Sequence, residues 1–132
     1  MASRAARLKH LLTLQEQVRA FHEMRHAAHV AAADVAERDA ADILARRAEE
    51  GSLADLFPDL YARAVERAYS TRDTQRELAA REATHVATEK LRAGVVQKSW
   101  REAVRAETRQ AEEKAGLEAV ERMLAARKNE QR

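Results

Sequence analysis

A single proline, Pro58, interrupts 132 residues, and it closes the one cluster of helix-breaking residues in the chain, Gly51-Ser52-Leu53-Ala54-Asp55-Leu56-Phe57-Pro58. A chain with one break is restricted to two long elements. Gly51 suits the left-handed conformation that ends a helix. Ser52 with Asp55 three residues on resembles a capping box, with Asp in place of the usual Glu or Gln. Pro58 has no amide hydrogen, which suits a first helical turn, and it biases Phe57 away from helix. The spacing predicts a helix over about residues 4–50, a connection over 51–58 with room for one helical turn, and a second helix over about 59–128. At 1.5 Å per residue these would be about 70 Å and about 105 Å long.

Composition supports helix on both sides of the break. Ala, Glu, Lys, Leu and Arg make up 82 of the 132 residues, the signature of long helices or coiled coils. Leu, Ile, Val and Phe together supply only 24, too few for a thick core. A large net charge would turn that figure into a prediction of disorder, but the formal charge is +2. Stability must come from a narrow seam, helix propensity and surface ion pairs. Acid-before-base pairs four apart recur at Asp34/Arg38, Asp42/Arg46, Asp59/Arg63, Glu77/Arg81 and Glu118/Arg122. Each is worth about 0.3 to 0.5 kcal/mol in an isolated helix.

Leu11, Leu14, Val18, Phe21, Ala28, Ala32 and Val35 follow the 3-4 spacing of a heptad seam, which weakens at Asp39 and Asp42. In the second helix Leu117, Val120 and Leu124 make a clear seam after an Ala-rich, polar middle. An antiparallel arrangement would set them beside Leu8, Leu11 and Leu14. Gly94 and Gly116 are the positions where the second helix would bend most easily. The expected fold is all-α, one elongated two-helix antiparallel coiled-coil hairpin.

The chain has no cysteine, which excludes disulfide and thiolate chemistry, and no apolar run near the length of a membrane span. Its basic start, with Arg4, Arg7 and Lys9, faintly resembles a transit peptide. The helical periodicity continues through it to Val18 and Phe21, so it is read as the first turns of helix one, and the expected compartment is a bacterial-type cytoplasm. The 24 basic residues are interleaved with 22 acids, leaving no long uncompensated stripe for phosphates, so no nucleic-acid partner is expected. Arg101, Arg105 and Arg109 form the best basic face.

His22-Glu23-Met24-Arg25-His26 matches the H-E-x-x-H zinc-protease pattern, with His29 three residues further on. Two histidines four apart share a helix face and fit zinc, with the Glu positioned to activate water. The extended form of the motif fails, because positions 29 and 32 are His and Ala. No strand is predicted to hold a substrate. The match is read as incidental: no catalytic residue, metal or cofactor is expected.

Aromatic residues are few, and three of the five, Phe57, Tyr61 and Tyr69, crowd the connection. Phe57, Tyr61, Ala64, Val65 and Ala68 form an apolar strip at helical spacing. It serves either to close the hairpin locally or to dock a partner. Trp100 stands apart between Val96 and Val104, as a seam residue or a second anchor.

The length, the Leu-rich basic start Arg7-Leu8-Lys9-His10-Leu11-Leu12, one connection at 51–58, a longer second helix and an Ala/Glu/Arg-rich tail together resemble the FliJ/YscO family. These are the small coiled-coil stalk proteins of flagellar and virulence type III secretion. The resemblance is architectural and spans the chain, although the first helix is shorter than the family pattern. It implies a non-enzymatic stalk whose terminal segments enter the pore of a hexameric export ATPase, stiffened by Leu8, Leu11, Leu117 and Leu124. It further implies an export-gate protein met by Phe57, Tyr61 and Ala64. Export chaperones would be further partners, with a place at the inner-membrane export apparatus and no stable membrane insertion. The alternative is a coiled-coil adaptor unrelated to secretion, or, further off, a zinc metalloprotein through His22, His26 and His29.

Overall fold

The computed structural model describes residues 2–131, and those residues form two α-helices with no strand: α1, Arg4–Ala48, and α2, Pro58–Glu130. Both helices fall within two residues of the limits expected from the sequence. Ser3 caps α1, its hydroxyl accepting the Ala6 amide at 3.1 Å while its carbonyl accepts the Arg7 amide at 3.0 Å. Arg46 and Arg47 in the last turn of α1 and Asp59 in the first turn of α2 complement the helix dipoles.

Gly51 has φ +78°, the left-handed conformation for which a glycine is needed. Ser52 finishes α1 instead of capping the turn after it. Its hydroxyl donates to the Arg47 carbonyl at 3.1 Å and its amide to the Glu49 carbonyl at 3.2 Å. A single turn comes next, with the Leu56 and Phe57 amides both bonded to the Leu53 carbonyl at 3.1 and 2.8 Å. Pro58 then opens α2, and Gly94 and Gly116 both lie inside that uninterrupted helix.

The chain divides into two compact units. One combines Met1–Gln15 with Leu91–Arg132, and the other is Glu16–Lys90. The second unit holds the connection and is a helical hairpin. Its cross-helix contacts pair His22 with Glu82, His29 with Gln75 and Glu37 with Arg72, so position rises along α1 as it falls along α2.

Within this unit Arg19, His22, His26, His29, Ala33, Ala36, Ala40 and Ile43 of α1 are covered, in strict 3-4 alternation, and beside them only Ala32 of the α1 positions is half-buried. On α2 they include Arg72, Gln75, Ala79, Glu82, Val86 and Glu89, with the same alternation. The seam expected from the sequence is therefore displaced by one residue. Val18, Phe21 and Val35 are 42%, 48% and 49% exposed, whereas Ala33, Ala36 and Ala40 are buried, Ala40 completely. In the first unit the covered positions include Ala5, Leu8, Leu12 and Gln15 on α1 and Ala93, Val96, Trp100 and Ala103 on α2. Here too Leu11 and Leu14 face outward.

Among the described residues the buried apolar side chains are seven alanines and Leu12. At roughly 0.8 kcal/mol per buried methyl or methylene, such a seam contributes little for its length.

Candidate partner-binding surfaces

The interior of the Glu16–Lys90 unit is polar where α1 carries its histidines. Glu82 is buried and meets two side chains of α1: it accepts the His22 Nδ1–H at 2.5 Å and forms an ion pair with the Arg25 guanidinium, Nε to Oε1 3.2 Å. The imidazoles of His22 and His85 stack with centroids 4.8 Å apart and planes 20° from parallel. The His22 hydrogen bond holds the Glu82 carboxyl below the usual carboxylate range, against the opposing effect of burial, with the Arg25 charge adding to the lowering. One heptad on, His29 Nδ1–H donates to Gln75 Oε1 at 2.7 Å. Arg72 and Arg76 both reach Glu37, at 3.4 and 3.2 Å, and the Arg72 guanidinium lies 4.6 Å from the Tyr69 ring centroid.

Of the motif residues His22, Glu23 and His26, His22 alone joins this network. His22 is committed to Glu82, His26 is half-buried on the seam, and Glu23 lies 3.8 Å from Arg19 Nε one turn back. Among the described residues no group of three or more His, Asp or Glu side chains is arranged to hold a metal. Glu82, His85, Gln75 and Arg25 had no role in the expectations from sequence. A signal for their partners on α1 was available: one residue after Leu14, Val18, Phe21 and Ala28 stand Gln15, Arg19, His22 and His29, a polar run with the same alternation.

In the unit formed by the two terminal segments, the Ala5 amide donates to Glu107 Oε1 at 3.2 Å, and Lys9 Nζ sits 4.5 Å from the Trp100 ring centroid. Trp100 is thus a seam residue. The expected grouping of Leu8 and Leu11 with Leu117 and Leu124 is not formed. Glu107 already stands opposite the first turn of α1, and Leu117 lies ten residues, or about 15 Å, further along α2. From Thr108 to Glu130 only Ala119 is even partly covered. Leu117, Val120, Met123 and Leu124 project from that stretch, Leu117 65% and Leu124 59% exposed. The Ala-rich middle of α2, which offered no sequence seam, is the part that α1 covers.

Around the connection, Tyr61, Ala64, Val65 and Ala68 are half-buried, while Phe57 is exposed together with Leu53, Leu56 and Leu60. The aromatic strip therefore splits. Its α2 portion packs in the hairpin, and Phe57 joins an apolar group on the turn. No helix among the described residues is long and apolar enough to cross a membrane. No protein-family model, curated protein or solved structure matches this chain.

Proposed function

We propose that this chain is a non-enzymatic stalk and export chaperone of a type III secretion apparatus, its two helices forming an elongated antiparallel coiled coil. The observation that carries the reading is the stretch of α2 beyond Glu107. It is a lone helix with Leu117, Val120, Met123 and Leu124 exposed and charged residues around them. A stable monomer has no use for such a stripe, and an amphipathic helix without a partner is the form in which helices enter grooves and pores.

In this reading the free end of α2 inserts into the hexameric export ATPase, led by Leu117 and Leu124. Leu8 and Leu11, on the first turns of α1, meet the rim of the ring. Phe57 and its exposed leucine neighbours, with Tyr61 and Ala64 behind them, meet the export-gate protein. Export chaperones bind along the sides, and the protein works at the cytoplasmic face of the inner-membrane export apparatus. Interleaved charges suit weak, rearrangeable contacts within a pore. No cofactor and no nucleic acid take part.

The test uses the export ATPase of the same organism, measuring co-purification and stimulation of ATP hydrolysis. Leu117→Asp with Leu124→Asp abolishes stimulation while helicity is kept, because both side chains are exposed in the free protein. Phe57→Ala with Tyr61→Ala spares stimulation and weakens gate binding. A chain that neither binds nor stimulates the ATPase sinks the stalk reading and leaves a coiled-coil adaptor in its place.

A further inference from the structure

The outward stripe of α1 within Glu16–Lys90 has a geometry of its own. Val18, Phe21, Ala28, Ala32 and Val35 each precede a seam position by one residue, and all but the half-buried Ala32 are exposed. One residue along a helix is a rotation of about 100°. That is close to the angle between the two neighbours that every helix of a four-helix bundle must pack against. α1 therefore carries two heptad faces a quarter-turn apart, one occupied by α2 and the other open.

The open face is poor in charge, as the centre of an interface must be. Its one charged residue in the heptad frame is Arg25, whose guanidinium already forms an ion pair with Glu82 at 3.2 Å. That pairing lets Arg25 sit at an interface without an unmatched charge.

We infer that this face is the dimerisation surface of the protein, and that its occupant is the same face of a second copy, running antiparallel. The side-chain sizes favour this pairing. A two-fold axis between residues 26 and 27 sets Val18 against the second copy's Val35, Phe21 against Ala32, and Arg25 against Ala28. The largest side chain of the stripe thus meets one of the smallest, and each pair is repeated by symmetry, as an isologous contact requires. The pairing also adds apolar burial to a hairpin in which the buried apolar side chains among the described residues are alanines. The stripe is about 26 Å long, so two helices covering it remove on the order of 1,000 Å² in total from water. That is at the low end for specific association and sets the expected dissociation constant near micromolar. The dimer does not depend on the secretion reading.

Sedimentation of the full chain between about 1 µM and about 1 mM tests it. The mass rises with concentration from the 14.9 kDa of one chain to twice that. Phe21→Asp, at a half-exposed position, weakens dimerisation at least tenfold with helicity unchanged. The native chain has no cysteine, so a mixture of Val18→Cys and Val35→Cys chains reads the register directly. On oxidation the two single-site variants cross-link to each other, and neither cross-links appreciably to itself. A mass of one chain at every concentration overturns the inference. So does a dimer indifferent to Phe21→Asp, or one in which Val18→Cys cross-links to itself as readily as to Val35→Cys. If Phe21→Asp reduces helicity, the cysteine pair decides alone.

Discussion

Two stretches of α1 in the same hairpin share one spacing and differ in chemistry. From Arg19 to His29 the covered positions are Arg, His, His and His, matched on α2 by Glu82 and Gln75. From Ala33 to Ala40 they are three buried alanines. The alanine stretch gains close backbone approach and little else, since a methyl group slides past its neighbours with no directional demand. The histidine stretch gains little from hydrophobic burial, but its hydrogen bonds are satisfied only in one alignment. Register therefore belongs to the polar stretch and closeness to the alanine stretch.

The largest effect is expected where closeness is attacked. Ala40 is fully buried, so Ala40→Asp takes a charge out of water. A loss of about 3 kcal/mol or more is expected, read from chemical denaturation followed by circular dichroism. A loss below about 1 kcal/mol would show that this stretch opens without consequence.

Attack on the polar stretch is expected to have a smaller effect with a pH signature. Glu82 has a folded-state pKa below its unfolded value, chiefly through His22. Its contribution is therefore present above the unfolded pKa of 4.5 and is lost as pH falls through the lower folded value. Arg25, His22 and His85 face it, so protonating Glu82 removes the negative charge that the Arg25 guanidinium is paired with. Glu82→Gln should lower the melting temperature at pH 7 and flatten the fall in stability between about pH 5 and about pH 3. An unchanged acid slope would show that other carboxylates govern it.

The smallest effect belongs to a pair outside both stretches. Arg81 and Glu77 meet at 2.9 Å on the exposed side of α2, both about two-thirds exposed. Arg81→Ala should cost about 0.3 to 0.5 kcal/mol, mostly removed by added salt. A larger or salt-insensitive loss would point to a second role for Arg81.

The two helices and the break between them were legible because their causes are local. Gly51 takes positive φ, Pro58 fits only a first turn, and no other residue of the chain ends a helix strongly. The candidate surfaces were legible in part. The apolar spacing of Leu117, Val120 and Leu124 was legible, but it was read as a packed seam and these side chains are exposed, while Phe57 was read as either closing the hairpin or docking a partner. A stripe on one helix does not say which stretch of the other helix will face it.

What the sequence determined by itself is therefore the helices, their ends and their lengths, all set by interactions within a few residues. What only the tertiary structure decided is which face of α1 turns inward. Two stripes one residue apart keep the same heptad alternation, and the apolar one, from Leu11 to Val35, is the more conspicuous in the sequence. The polar one faces α2 because α2 offers Glu82 and Gln75 to His22 and His29 some sixty and forty-six residues away. Once Ala33, Ala36 and Ala40 bring the backbones together, the polar groups of α2 that become covered need partners, and this face of α1 carries His22 for Glu82 and His29 for Gln75.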